Sequence, residues 1–232
     1  MKKNILIVPG DGIGQEVTAV GKKVLDRIAA KFGHHFSYDE ALIGHVAIEA
    51  TGNPLPDESL QKMKASDAVL FGAVGHPKYD NDPSAKVRPE QGLLKMRKEL
   101  GLYANLRPIK LFDELLAASS IKPEILKGAD ILFFRELTGD IYFGEKGRTN
   151  NGDTAFDRAE YSRFEVERIA RKAFEAARTR RKKLCSVDKA NVLETSRLWR
   201  EVVQKIALEY PDIEVEHQFV DATAMLLIKD PC

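Results

Sequence analysis

Two arginines and two leucines lie in a stretch of the chain that could bind a small, branched dianion. Glu90, Leu93, Leu94 and Arg97 recur at a spacing that places all four on one face of a helix. A further guanidinium, Arg107, follows in the sequence Asn-Leu-Arg-Pro. Because an arginine fork pairs with a carboxylate through two parallel hydrogen bonds, this set suits a dicarboxylate with a hydrophobic branch. The alternative is an amphipathic helix whose leucines pack into the core, and spacing alone favours that alternative.

A strand, a glycine-rich loop and a helix open the chain. Residues 4–9 form an apolar run typical of a buried strand, and Pro-Gly-Asp-Gly-Ile-Gly occupies residues 9–14. The dinucleotide fingerprint G-x-G-x-x-G fails here because its sixth position is Gln15. No acidic residue ends a second strand about 20 residues later, where that fingerprint expects one. We therefore interpret the loop as a tight strand-to-helix turn.

Strands alternate with helices along the rest of the chain, which predicts a mostly parallel sheet with helices on both faces. A strand at 68–75 runs into glycine, and the polar loop after it lies where open α/β sheets bind ligands. An extended segment, 103–110, separates a first domain, 1–102, from a second, 103–232. Asp57 or Ser59 is expected to cap a helix that ends near residue 66. The other predicted elements are strands at 36–42, 131–134, 184–187 and 214–220, helices at 15–32, 45–50, 90–97, 162–179, 194–209 and 222–229, a strand or turn at 139–144 and a protruding arm at 145–157.

Charge and cysteine content argue against several classes of protein. The chain has 36 basic and 35 acidic side chains and a net charge of +1, which gives no support to a nucleic-acid or membrane-surface partner. The basic run at 178–183 is interpreted as the solvated end of a helix. Two cysteines form no disulfide framework and suit a reducing cytoplasm. The first apolar run is too short for a signal peptide, and none approaches membrane-spanning length.

Six motifs, in the right order and along essentially the whole chain, resemble the isocitrate/isopropylmalate dehydrogenase family of metal-dependent β-decarboxylating enzymes. The resemblance implies the two-domain α/β/α fold of that family, which is not of the Rossmann type. The motifs occupy residues 9–14, 90–97, 105–108, 135–144, 186–193 and 217–222.

The resemblance also implies a reaction, namely oxidative decarboxylation of 3-isopropylmalate to 4-methyl-2-oxopentanoate in leucine biosynthesis. NAD would accept the hydride, and Mg²⁺ or Mn²⁺ would assist. Enzymes of the same family that act on tartrate, isocitrate or homoisocitrate, and inactive homologues, are the alternatives. Leu93 and Leu94 are the residues that best discriminate between these substrates, because relatives that act on isocitrate usually carry small polar residues at the two positions. A hydrophobic pocket formed by such residues changes the free energy that discriminates between substrates by only ~1–3 kcal/mol.

Site residues are carried over from the family motif by motif. Lys189 would accept the proton of the C2 hydroxyl, and Tyr142 would protonate the enol. The family pattern also implies a homodimer in which Lys189 and Asp221 reach into the partner's site. The remaining roles are a carboxylate clamp of Arg97, Arg107 and Arg135, substrate contacts by Leu93, Leu94 and Asp221, metal ligation by Asp221, and cofactor contacts by Ile13, Gly75, His76, Pro77, Lys78, Glu90 and Asn191.

Three of these residues also have simpler interpretations. Lys189 could be an ion-paired surface residue, Tyr142 a core aromatic with a solvated hydroxyl, and Asp221 the cap of the next helix. The five histidines show no zinc-ligand spacing. Relatives continue beyond the point where this chain stops, so we expect part of a longer enzyme. The additional part would carry two further metal-binding aspartates and the residues that select NAD or NADP.

Overall fold

The computed structural model describes residues 1–82 and 84–231. These divide into two compact units, the first being Met1–Leu102 and the second beginning at Tyr103. Among the described residues, no helix combines the length and the apolar character needed to cross a membrane.

The first unit is built on a three-stranded parallel sheet in the order β2-β1-β3. Its central strand carries four consecutive buried apolar residues, Ile5–Val8, as expected of a strand covered on both faces. Its elements are β1 (Lys2–Gly10), α1 (Gly14–Phe32), β2 (His35–Glu40), α2 (His45–Thr51), α3 (Asp57–Ala65), β3 (Ala68–Ala73), α4 (Pro77–Asp80) and α5 (Pro89–Glu99).

The glycine loop between β1 and α1 is a tight turn, as its sequence predicts. A Cβ placed on Gly14 would lie 2.0 Å from the carbonyl oxygen of Pro9, so only glycine lets the helix begin this close to the strand. The helix ends at Gly33, whose left-handed conformation directs its N–H to the carbonyl oxygen of Ala29.

The described residues of the second unit, 103–231, form three two-stranded sheets. Strands β4 and β5 pair antiparallel, β6 and β7 form a hairpin, and β8 and β9 pair in parallel. Two 3₁₀ turns, Asp113–Ala118 and Asn150–Gly152, lie between these elements. The elements are β4 (Ala104–Lys110), α6 (Pro123–Leu126), β5 (Asp130–Glu136), β6 (Lys146–Thr149), β7 (Thr154–Asp157), α7 (Arg163–Arg178), β8 (Lys183–Asp188), α8 (Glu194–Ala207), β9 (Glu214–Phe219) and α9 (Val220–Lys229).

Helices α7 and α8 form the main core of the second unit. Ser162 caps α7, because its Oγ accepts from Glu165 N while the Glu165 carboxylate accepts from Ser162 N at 2.7 Å. This capping box confirms the predicted start of the helix. The apolar stripe of α7 then packs against α8, and the fully enclosed residues include Val166, Phe174, Val202 and Ile206.

The prediction of one mostly parallel sheet is wrong for the described residues. Four separate sheets occur, and two of them are antiparallel. A parallel crossover needs a dozen or more residues, usually in a helix that packs on the sheet. Between β4 and β5 the chain forms only short helical turns, and it returns antiparallel.

Three smaller expectations are also settled. The helix α3 begins at Asp57 itself and is preceded by Pro56 without a side-chain cap, so neither Asp57 nor Ser59 is the cap. Residues 139–144 form turns rather than a strand, and the protruding arm is the β6–β7 hairpin. The basic run follows the end of α7, where Arg178 pairs with Asp212 and Arg180 with Asp130.

Removing the ring of Phe174 is expected to destabilise the protein by about 3–5 kcal/mol, because its place in the core would become a cavity. Urea unfolding of Phe174→Ala checks this. The matched control is Phe112→Ala, since Phe112 is 63% exposed and its loss should change stability by about 0.5 kcal/mol or less. Equal unfolding midpoints for the two variants would contradict the described core.

Candidate active site

Two of the predicted arginines share one face of the β4–β5 sheet. Asn105 lies opposite Arg135 in the antiparallel register, and Arg107 lies opposite Phe133. Arg107 and Arg135 are therefore diagonal neighbours, at a spacing of about 7–8 Å. Both are exposed, and Arg107 Nε donates to Asn105 Oδ1 at 2.6 Å. The sheet thus presents two guanidinium groups to the same region of solvent.

Tyr142 lies beside this arginine pair. The guanidinium carbon of Arg135 is 5.5 Å from the centre of the Tyr142 ring, a cation–π distance. The turn that carries Tyr142 is held by Lys146 Nζ, which donates to the carbonyl of Ile141 at 2.9 Å. Tyr142 is 50% exposed, so its interpretation as a core aromatic is wrong. The ring therefore lies beside Arg135 with half of its surface open to solvent.

A buried carboxylate that sequence reasoning missed, Glu136, fixes the start of this turn. Its Oε2 accepts from the backbone N–H groups of Thr138 at 2.7 Å and Gly139 at 2.8 Å. Its Oε1 accepts from the Thr138 hydroxyl at 2.7 Å and from Arg168 Nη2 at 2.9 Å. The available signal was an acidic residue two positions before a Thr-Gly turn, where side chains commonly hydrogen-bond to the backbone.

Lys189 and Asp221 meet at the carboxyl ends of β8 and β9. Lys189 Nζ donates to Asp221 Oδ1 at 2.6 Å, and the two side chains are 29% and 64% exposed. The hydrogen bond from Lys189 is the main cause that lowers the pKa of Asp221 below its ordinary value. Lys189 is therefore ion-paired, as its simpler interpretation predicts, but its side chain is mostly covered. Asp221 as a helix cap is wrong, because α9 starts at Val220 and its N-cap is Phe219.

Asp221 is the only predicted metal ligand. Across residues 1–82 and 84–231, no group of three or more potential ligands (His, Cys, Asp or Glu) is arranged to hold an ion. Mg²⁺ is usually bound by one or two carboxylates, with water and substrate oxygens in the other positions. An exposed carboxylate fits one corner of such a shared site, and further ligands would have to come from elsewhere.

In the first unit, the predicted face of α5 is partly a packing surface. Leu93 packs against the core cluster of this unit, as the core alternative predicts, while Leu94 and Arg97 are half-buried. Glu90 is exposed, and its Oε1 lies 3.4 Å from where a Cβ on Gly75 would be. The carboxylate therefore lies directly beside the glycine that follows β3.

The loop after β3 depends on a second carboxylate that was not predicted, Asp11. It is 2% exposed, and its Oδ2 accepts from the backbone N–H groups of His45 and Gly75, both at 2.9 Å. Its Oδ1 accepts from Val46 N at 3.0 Å. These bonds place a negative charge at the start of α2 and tie the β3 loop to the glycine turn. The signal was an aspartate set between two glycines.

The other predicted cofactor residues of this unit lie around the same loop. The rings of His76 and His45 are 4.0 Å apart, and Lys78 Nζ pairs with Glu49 at 2.8 Å. Pro77 begins α4. Ile13 is 58% exposed at the start of α1. In the second unit, Asn191 is exposed in the turn that follows β8.

Comparison with known proteins identifies the class to which this fold belongs. The family model described as isocitrate/isopropylmalate dehydrogenase matches residues 4–232. The chain therefore belongs to that family, and the predicted fold class is confirmed. A solved isocitrate dehydrogenase from Methylococcus capsulatus superposes with a TM-score of 0.85 at 32% identity, covering 99% of this chain and 64% of the other.

Curated relatives are more similar in sequence. A 3-isopropylmalate dehydrogenase from Shouchella clausii is 53% identical over 100% of this chain. Another from Rhodopirellula baltica is 55% identical, again over 100% of this chain. The chain spans 64% and 65%, respectively, of the lengths of these two relatives.

Replacing the cation of the Lys189–Asp221 pair should raise the pKa of Asp221. In Lys189→Met the carboxylate loses the donor that stabilises its charged form, so protonation becomes easier. A carboxyl-carbon NMR titration of Asp221 measures the change, with Lys172→Met as the control because Lys172 pairs with Glu175 instead. If the Asp221 carboxyl titrates at the same pH in wild type, Lys189→Met and Lys172→Met, the Lys189–Asp221 pair does not persist in solution.

Replacing the Asp11 carboxylate should cost about 1.5–3 kcal/mol for the charge-assisted bonds that it accepts, since an amide nitrogen would face N–H donors. Thermal or urea unfolding of Asp11→Asn tests this. Asp80→Asn is the control, because Asp80 is exposed in the same unit. A stable Asp11→Asn variant with unchanged amide chemical shifts at His45 and Gly75 would contradict the assigned role.

Proposed function

We propose that this chain acts in the oxidative decarboxylation of 3-isopropylmalate to 4-methyl-2-oxopentanoate, with reduction of NAD. The proposal is supported by family membership and by relatives named 3-isopropylmalate dehydrogenase at 53% and 55% identity. Isocitrate is the second candidate substrate, because the similar solved structure bears that name. Its identity to this chain is only 32%, which favours 3-isopropylmalate.

The observation that carries the proposal is the shared face of β4 and β5. Arg107 and Arg135 project from it as diagonal neighbours, and Tyr142 lies against Arg135. Guanidinium groups bind carboxylates through paired N–H donors, so this face suits an acid with two carboxylates. In the proposed reaction Arg107 and Arg135 hold the substrate carboxylates, and Tyr142 donates the proton that completes the enol step. Arg97, on α5, is proposed as a further carboxylate-binding residue.

Lys189 is proposed to accept the proton of the C2 hydroxyl. Its Nζ donates to Asp221 Oδ1 at 2.6 Å, and its side chain is 29% exposed. Only the neutral amine form, which has a free lone pair, would accept the proton. We propose Asp221 as a ligand of Mg²⁺ or Mn²⁺ and a homodimer in which both residues serve the partner's site. A divalent ion, when bound, would polarise the substrate oxygens and stabilise negative charge on the enolate.

The cofactor is proposed to be NAD, bound near the loop after β3. Gly75 leaves room beside the Glu90 carboxylate, and no side chain of residue 75 obstructs a ring placed there. Ile13 offers exposed apolar surface at the start of α1. The proposed compartment is the cytoplasm, which a chain with two cysteines suits.

The first test is NADH formation from 3-isopropylmalate with and without Mg²⁺ or Mn²⁺. Isocitrate, homoisocitrate and tartrate are measured in parallel, and faster turnover of any of them would overturn the assigned substrate. Binding of 3-isopropylmalate to wild type and to Arg107→Met, followed by calorimetry, gives a second readout that needs no turnover. Equal affinities would remove the support drawn from the shared arginine face.

Leu94 is proposed to contact the isopropyl branch. Leu94→Ser should lower kcat/KM for 3-isopropylmalate by about tenfold or more, because a lost apolar contact is worth ~1–3 kcal/mol. Leu102→Ser, at an exposed position in the same unit, should leave the ratio unchanged. A Leu94→Ser enzyme with undiminished preference for 3-isopropylmalate over isocitrate would contradict the assignment.

A further inference from the structure

We propose that Arg200 is a positioning residue for Lys189, acting through the buried carboxylate of Asp188 and the ring of Phe219. The proposal rests on the proposed function, in which Lys189 moves the hydroxyl proton. Arg200 lies on α8 and donates its hydrogen bonds to Asp188, the residue before Lys189. Its contacts determine where the Lys189 amine can lie.

The first contact is a buried two-point ion pair. Arg200 Nε donates to Asp188 Oδ2 at 2.8 Å, and its Nη2 donates to Oδ1 at 2.9 Å. The Asp188 side chain is 1% exposed. Its Oδ1 also accepts from Ala190 N at 2.9 Å. The Asp188 carboxylate therefore holds the backbone at Ala190, the residue after Lys189. Arg200 compensates the charge of that carboxylate.

The second contact is an aromatic ring shared by two cations. The guanidinium carbon of Arg200 is 5.1 Å from the centre of the Phe219 ring, and Lys189 Nζ is 5.7 Å from the same centre. Phe219 lies opposite Asp188 in the β8–β9 register. A ring held by Arg200 thus provides a surface for the lysine amine, whose other neighbour is Asp221.

The third contact comes from the same helix as Arg200. Lys189 N donates to Ser196 Oγ at 3.0 Å, so α8 holds the backbone at Lys189 as well as at Asp188. The N–H groups of Lys189 and of Ala190 are thus both hydrogen-bonded, and the Lys189 side chain is 29% exposed. Its amine position follows from α8 and the ring, and lysine cannot replace Arg200 fully because it lacks the planar two-point fork.

The test measures the chemical reactivity of the Lys189 amine, which requires no turnover. Wild type and variants are labelled with trace acetic anhydride, and peptide mass mapping compares Lys189 with exposed Lys110 in the same molecule. In Arg200→Gln the acetylation rate of Lys189 should rise several-fold, because its amine would no longer be held against the Phe219 ring and the Asp221 carboxylate. Arg200→Lys should give an intermediate rate.

A matched control is available in the same unit. Arg178 binds Asp212 through Nε and Nη2 and lies 4.6 Å from the centre of the Tyr210 ring, which repeats the chemistry of the Arg200 group elsewhere. Arg178→Gln should leave the Lys189 labelling rate unchanged. A folded Arg200→Gln protein with wild-type labelling at Lys189 would overturn the proposal.

Two further measurements keep the outcome decisive. If Arg200→Gln does not fold, Phe219→Leu retains the ion pair and removes only the ring, and unchanged Lys189 labelling in that variant overturns the proposal. Where wild type turns over 3-isopropylmalate, Arg200→Lys should lower kcat at least tenfold with KM changed less than about twofold. Absence of wild-type turnover would count against the proposed function, while the labelling result would still decide the role of Arg200.

Discussion

A buried carboxylate at the carboxyl end of a strand is the interaction on which the described parts of both units depend. Asp11 follows β1, Glu136 ends β5 and Asp188 ends β8, and all three are buried. Each accepts backbone N–H groups from the loop that follows or from a neighbouring loop. Because an uncompensated buried charge costs several kcal/mol, these loops cannot rearrange without leaving the carboxylate unsatisfied.

The same carboxylates explain why the side chains of two proposed site residues, Arg135 and Lys189, are exposed or partly exposed. Successive residues of a strand point to opposite faces, so a buried Glu136 turns Arg135 outward. At the end of β8, the anchored Asp188 leaves Lys189 next in the chain and partly exposed. Arginines from α7 and α8 neutralise the carboxylates of Glu136 and Asp188, whereas the partners described for Asp11 are backbone N–H groups. The proposed site residues Arg135 and Lys189 therefore each follow or precede a carboxylate that is held by the fold.

Sequence periodicity predicted the elements well and their pairing poorly. The bounds of α7 followed from its apolar stripe, and the structure adds a local signal at its start, the Ser162 capping box. The antiparallel pairing of β4 with β5 did not follow, because pairing direction depends on how the connecting segment packs. Asp221 illustrates a further limit, since an acidic residue near a helix start is typical of both a cap and a ligand.

The motif resemblance, in contrast, brought residues together that periodicity could not. It named Arg135 with Tyr142 and Lys189 with Asp221, and in each case the two side chains are neighbours. It gave no role to Asp11, Glu136 or Arg200, because these residues hold the backbone in place rather than take part in the proposed reaction. Only their hydrogen-bond partners reveal them.

The packing of α7 against α8 has a consequence for how this protein can evolve. Arg168 on α7 holds the carboxylate before Tyr142, and Arg200 on α8 holds the carboxylate before Lys189. The positions of the proposed proton donor, Tyr142, and the proposed proton acceptor, Lys189, therefore both depend on the α7–α8 interface. That interface includes Phe174 and Val202. Substitutions in that interface would be epistatic, so the effect of one on proton transfer would depend on which other interface residues had already changed.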